Sequence, residues 1–347
     1  LRNHTSGGIN DGLGVIKRSL RSRINYYRKR AYEIESYLSH NIDHWGKFQN
    51  EFNSEVNDFF KDIMDFEKVN MTNGHRDKII KLKRLFVNRI RKLFLRGMYI
   101  AWSLHKPYGY AGDFKIINDI YRNDPSTSGF DRLFDNYYQM SAISVAVRNR
   151  KEDFKRLLVE FINKRKKTPL KIMNLACGSA LEIKEMLSSG ALVNKNVEFF
   201  CYDNDGKAIE YAQSLAREFS NVHFMKKNVL RIASAMDDPS NREKYDLIYS
   251  TGFFDYLSSK VGVRVIRNLA RLLKRRGILA VSNVRDKYSN PSVHFMEWVG
   301  DWNLAYRTDD EFKRMFIDAG FKDNELSMQY EQQGIMQYIF AQNTRGA

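Results

Sequence analysis

The chain has 347 residues, 43% of them hydrophobic and 13% aromatic, with two cysteines and a net charge of +16. That apolar content excludes a disordered polymer and suffices for one large core or two moderate ones. No apolar run approaches the ~18 to 20 residues of a membrane span, and two cysteines are too few for a disulfide-stapled scaffold.

These bounds predict a soluble, cytoplasmic protein. The seven histidines are scattered and no Cys/His cluster has ligand spacing, so no metal is expected. The chain starts at Leu1, as a processed form or an excised piece would, and residues 1–15 read as a flexible lead-in. From there to residue 166 the pattern is helical. Ile16 to Leu38 and Trp45 to Phe66 are long, rich in charge and aromatics, and free of proline.

Most of the positive charge belongs to this half, where Lys and Arg exceed Asp and Glu by about 13 over residues 1–166. The charge is densest from Arg76 to Arg96, where basic residues interleave with Ile79, Leu82, Phe86, Ile90 and Leu93 at helical spacing. Such a helix is read in three ways. It is a packed helix with a solvated basic face, or it attracts an anionic membrane surface or lipid-like substrate, or it holds RNA phosphates. No recognisable RNA-binding module accompanies it, so nucleic acid is the less favoured partner.

Next comes Lys106-Pro-Tyr-Gly-Tyr-Ala-Gly-Asp113. Two glycines, a proline and two tyrosines describe a turn between helices. Alternatively they form a lid, in which Tyr108 and Tyr110 close over a ligand and Asp113 fixes the loop or contacts that ligand. Lys164-Arg-Lys-Lys-Thr-Pro169, a basic run closed by proline, marks the boundary between an N-terminal helical cap (16–166) and a second domain (167–347).

The second domain opens on Lys171-Ile-Met-Asn-Leu-Ala-Cys-Gly-Ser-Ala-Leu-Glu182, an apolar strand running through a small-residue turn into a helix. Gly178 has no Cβ to keep the backbone from a nucleoside-like ligand, and Ala176, Ser179 and Ala180 obstruct it little. Cys177 and Glu182 flank the same turn. Val197 to Asp203 reads as a second strand ending in an acid, placed with Asn204 to take hydrogen bonds from ribose hydroxyls. Val222-His-Phe-Met is a third strand, after which Asn228 and Val229 fall where an adenine is read. Tyr245 to Gly252 is a fourth strand, whose end (Ser250, Thr251, Gly252) would face the reacting end of the ligand, and Gly277 to Asn283 is a fifth. Strands alternating with helices predict a Rossmann-like, doubly wound parallel α/β sheet. The turn has too few glycines to cradle a pyrophosphate, which disfavours a dinucleotide. Cys177 and Cys201 lie at strand ends, where packing explains them better than a disulfide.

After the fifth strand, Asn283 to Trp298 leads into Asp301-Trp302-Asn-Leu-Ala-Tyr306-Arg307-Thr308. Trp298, Trp302 and Tyr306 have core-like spacing, but His294, Glu297, Asp301 and Arg307 accompany them, and buried polar groups need partners.

Together, the Tyr-Gly-Tyr-Ala-Gly-Asp segment, the Cys177-Gly-Ser-Ala-Leu-Glu182 turn and the Asn-Pro-Ser, Met-Glu-Trp, Asp-Trp-Asn-Leu and Tyr-Arg-Thr series resemble one family of class I S-adenosylmethionine methyltransferases. That family's best-known branch serves biosynthesis of extracellular factor, 3-hydroxypalmitic acid methyl ester. The resemblance runs from about Lys106 to the C-terminus. It implies a class I methyltransferase sheet behind a helical cap, S-adenosylmethionine as cofactor, and the carboxylate of a 3-hydroxy fatty acid as acceptor, free or carrier-bound. Its donor contacts carry over as Ala176, Gly178, Asp203, Tyr110 and Asp113. Asn174 stands where the family has an acid, alanines replace its outer glycines, and Asn283 is followed by Val-Arg-Asp where the branch has His-Pro.

A carboxylate acceptor, with a pKa near ~4, is ionised at neutral pH and needs no base. It needs donors, for which Arg307 or Arg285 with Tyr110 or Tyr306 are candidates. An amine or hydroxyl acceptor would need a base, for which Glu297 and His294 are candidates. The alternatives are methylation of RNA or a peptide through the basic half, and a non-catalytic donor-binding or scaffold domain of a larger protein.

Overall fold

The computed structural model describes residues 11–165, 169–192, 196–228, 230 and 244–344. The chain divides into two compact units. One comprises residues 1–112, 123–141 and 291–303, and the other residues 113–122, 142–290 and 304–347. This division is not the single boundary expected near Lys164 to Pro169. The helix before that basic run groups with the sheet, and a short segment late in the chain groups with the helical unit.

The helical unit contains α1 (Asp11–His40), α2 (Gly46–Thr72), α3 (Arg76–Arg89), α4 (Arg91–Phe94), α5 (Met98–His105) and α7 (Gly129–Met140). The first two are the long helices expected from the charge and aromatic pattern. The basic stretch 76–96 is broken at Ile90 (φ −133, ψ −22), which separates α3 from α4. Leu82, Phe86 and Ile90 are buried as the spacing predicts. Part of its basic face is used internally, since Lys83 Nζ donates to the Glu297 carbonyl (3.4 Å) and Arg91 Nε to that of Val299 (3.1 Å).

Residues 291–303 belong to this unit because they complete its aromatic core. Phe295 lies 5.8 Å from Phe60 and 5.0 Å from Tyr137 between ring centroids, and Trp298 lies 5.6 Å from Phe86. The segment includes a single π-helical stretch, Phe295–Val299. Lys106 closes α5 in left-handed backbone, and its ammonium pairs at 2.7 Å with Asp301, which is also left-handed.

The other unit is a seven-stranded sheet with helices α6 (Phe114–Arg122), α8 (Ala142–Asn163), α9 (Leu181–Ser188), α10 (Gly206–Ala216), α11 (Ser259–Arg271) and α12 (Asp309–Ala319). Its strands are β1 (Leu170–Leu175), β2 (Val197–Asp203), β3 (Val222–Lys226), β4 (Tyr245–Ser250), β5 (Leu273–Val284), β6 (Leu326–Tyr330) and β7 (Met336–Gln342), in the order β3-β2-β1-β4-β5-β7-β6. The first five are parallel, and β7 runs antiparallel between β5 and β6. The doubly wound sheet is the expected one, and β6 and β7 extend it beyond the five strands read from the sequence. The centre is buried on both faces, with Ile172, Leu175, Leu247, Ile248 and Leu279 fully enclosed, as parallel strands covered by helices require.

No helix among the described residues is long and apolar enough to cross a membrane.

Candidate active site

The strand order reverses between β1 and β4, the switch point at whose carboxyl edge open α/β sheets bind ligands. The turn leaving β1 occupies that edge. Ala176 (φ 55), Gly178 (φ 54) and Ala180 (φ 47) all adopt left-handed backbone. The two alanines therefore hold the conformation that glycine supplies elsewhere, at a steric cost of about 1 kcal/mol each. A side chain added at Gly178 would meet only the Phe114 Cβ, at 3.8 Å, so this part of the turn stays open to a ligand.

Asp203, at the end of β2, locks the turn in place. Its Oδ2 accepts the Gly178 N–H (2.9 Å) and its Oδ1 the Asp205 N–H (2.9 Å). Burial pushes its carboxyl above the usual carboxylate range, opposed by those backbone donors. Asn174 donates to Glu182 Oε1 (2.9 Å), which also accepts the Tyr249 hydroxyl (2.8 Å). The Asn174 amide thus ties the end of β1 to the first turn of α9. Burial raises the Glu182 carboxyl as well, and the hydrogen bond with Cys201, followed by burial, pushes the Cys177 thiol up.

The other expected ligand contacts of this unit are spread along the same edge. Ser250 donates to the Leu175 carbonyl (2.9 Å) at the end of β4, and Thr251 and Gly252 are half-buried. Asn204 and Asn228 are exposed, and Asn228 accepts the Leu230 N–H (3.0 Å). Asp113 is fully buried and accepts the Ile116 N–H (2.9 Å), capping α6. Val229 lies outside the described residues.

Arg307 is buried, and its amino groups donate to the Phe254 carbonyl (3.0 Å), to Asn283 Oδ1 (3.0 Å) and to the Leu257 carbonyl. Arg285 is paired bidentately with Asp309 at 2.7 and 3.0 Å. Tyr108, Tyr110, His294 and Glu297 belong to the helical unit. Tyr110 is exposed, and Tyr108 packs 6.0 Å from Trp102 between ring centroids. His294 is wholly enclosed, with Nε2 3.0 Å from Glu67 Oε2 and its ring against Trp298. Glu297 is half-buried.

Sequence reasoning missed Arg150 and Asp255. Arg150, on α8, is only 4% exposed, and its NH1 lies 3.4 Å from Asp255 Oδ2. Asp255 also accepts from Asn283 Nδ2 and the Val284 N–H, both at 2.7 Å. Helix α8 carries Arg148, Arg150, Lys151, Lys155 and Arg156, and its periodicity gives no sign of which cation is enclosed by the sheet.

A family model described as a methyltransferase domain matches residues 166–343. No curated protein sequence matches the chain. Among solved structures, a protein described as a "possible exported protein" of Bordetella parapertussis is 18% identical. It covers 76% of this chain and 96% of its own, with a TM-score of 0.56, a likeness of fold. Magnesium protoporphyrin IX methyltransferase of Synechocystis, with bound SAH, is 15% identical, covering 59% of this chain and 88% of its own at a TM-score of 0.43. An O-methyltransferase family protein of Burkholderia thailandensis is 16% identical, covering 58% and 61% at 0.41.

Proposed function

The chain belongs to the methyltransferase-domain family, and from that membership we propose that it methylates the carboxylate of a small-molecule acid of the 3-hydroxy fatty acid type. S-adenosylmethionine is the cofactor. The observation that carries the donor site is the pairing of Asp203 with the Gly178 N–H. It sets a carboxylate beside Gly178, where no side chain fills the turn, which is what a ribose diol on a close-approaching nucleoside requires. When bound, the cofactor supplies a methyl group already activated by its sulfonium.

What remains for this chain is to align and dry the acceptor. Transfer to a carboxylate annihilates two opposite charges, so a site that excludes water favours it. The enclosure of His294 removes one of the two candidate bases for an amine or hydroxyl acceptor. Its Nε2 is engaged by Glu67 and it has no exposed surface, whereas a general base must reach the proton that it removes. Arg307 is given a positioning part. Its bonds to the Phe254 and Leu257 carbonyls fix the turn after β4, and its bond to Asn283 fixes the end of β5.

Calorimetry with S-adenosylmethionine on wild type and Asp203→Ala tests the donor site, and loss of binding in a folded variant is the expected result. Label transfer from the methyl-labelled donor to 3-hydroxy acids of graded chain length, with their amides and alcohols alongside, tests the acceptor. Methylation of acids alone is expected. Transfer to RNA or peptides instead would replace the acceptor and leave the donor site standing.

A further inference from the structure

Arg150 is a buried cation whose hydrogen bonds do not saturate it. Charge-assisted pairs normally lie at about 2.7–2.9 Å, yet its NH1 is 3.4 Å from Asp255, and the same nitrogen lies 3.9 Å from the Met336 thioether. The Nε has no partner at all, although it is enclosed. Tyr121 supplies one further hydrogen bond. Asp255 is held by two 2.7 Å bonds from Asn283 and Val284, both to Oδ1, and its Oδ2 faces Arg150 at the longer distance. An enclosed donor such as this Nε, left without an acceptor, costs about 1–3 kcal/mol, which an incoming anion would remove.

Position indicates which anion that is. The Arg150 amino groups lie 3.5 and 3.6 Å from where a Cβ on Gly252 would stand, so only a glycine separates the guanidinium from the turn after β4. Asp203 ends β2, and β1 with its open turn lies between β2 and β4. Asp203 and the turn that carries Gly252 therefore end strands two places apart in the sheet, about 10 Å between strand axes. A nucleoside whose ribose rests on Asp203 and whose chain crosses the β1 turn brings its amino-acid end to β4.

The geometry points to Arg150 as the residue that binds the carboxylate at the amino-acid end of the methyl donor. This rests on the methyltransferase reading above. It assigns the missing anion to the cofactor and makes Arg150 the residue that distinguishes a complete S-adenosyl amino acid from a bare adenosyl thioether.

The test is calorimetry on the full chain with two ligands, S-adenosylhomocysteine and 5′-methylthioadenosine, which share the nucleoside and sulfur but differ in the amino-acid end. Arg150→Met should weaken S-adenosylhomocysteine by roughly ten- to a hundredfold, as loss of a charged hydrogen bond does, and leave methylthioadenosine within twofold. Arg150→Lys should recover part of the loss. Equal weakening of both ligands would mean that Arg150 only supports the fold, and undiminished S-adenosylhomocysteine affinity would mean that the carboxylate lies elsewhere; either result overturns the assignment. If Arg150→Met does not fold, wild type is compared with S-adenosylhomocysteine and its decarboxylated amine. Equal affinities would overturn the assignment, and a clear preference for the carboxylate is expected. A folded wild type that binds none of these compounds would refute the methyltransferase reading itself.

Discussion

Ala176 and Ala180 stand on either side of Gly178 in left-handed backbone, with φ of 55 and 47, so two residues with a Cβ hold conformations that favour glycine. The strain lies in the turn that leaves β1. Ala176→Gly should raise the stability of the protein by at most about 0.5 kcal/mol, the folded-state strain of about 1 kcal/mol less the entropy that glycine adds to the unfolded chain. Urea denaturation measures it. Gly178→Ala should act in the opposite sense, and a stabilising effect there would contradict the backbone description.

Asp203 has a structural duty besides the ligand contact proposed for it. Asp203→Ala leaves the Gly178 and Asp205 N–H groups without their acceptor, and a loss of about 1–3 kcal/mol is expected for each donor that water does not re-satisfy. Thermal unfolding of the variant without ligand checks this, and it sets the temperature at which its cofactor affinity can be compared with wild type.

The Glu182 carboxyl is raised above its ordinary 4.5 by burial. A group raised in the folded state contributes stability that is fully present below the unfolded value and is lost as pH rises through the folded value. Glu182→Gln can still accept from Asn174 and Tyr249 but cannot ionise. The stability of wild type relative to this variant should therefore fall as pH increases above about 4.5, reaching a plateau once Glu182 is ionised in the folded protein. Denaturation curves at half-unit intervals from pH 4 to 8 would show this, and a flat difference would mean that Glu182 titrates normally.

His294 and Glu67 form an enclosed pair in the helical unit. Removing one partner of such a pair typically costs about 3–5 kcal/mol, while replacing both by apolar residues is often close to neutral. His294→Leu should therefore be much less stable than the double variant His294→Leu/Glu67→Leu. Additive losses in a double-mutant cycle would show that the two side chains act independently.

Legibility varied with the kind of signal. The five parallel strands are short apolar runs bounded by turn residues, because both faces are covered and no alternation is needed. β7, which reads Met336-Gln-Tyr-Ile-Phe-Ala-Gln342, is an apolar run of the same kind, but it follows Gln332-Gln-Gly334 late in the chain and has no helix after it to suggest a βαβ unit. The interruption at Ile90 carries neither proline nor glycine, so periodicity ran straight through it. Arg150 looks like its exposed neighbours on α8 because only tertiary burial distinguishes it. Residues 291–303 follow the fifth strand in sequence. Their aromatic residues, however, satisfy the helical unit, and which of two cores an apolar segment joins is not a local property.

The chain passes five times from one compact unit to the other, the excursions including residues 113–122 and 291–303. Neither unit is therefore a contiguous stretch of gene. A crossover that exchanged the first half of the coding sequence with that of a relative would set Phe295 and Trp298 from one parent into a helical unit otherwise from the other, and would combine α6 and α8 from one parent with most of the sheet from the other. Such an exchange would have to reconcile two mixed cores at once.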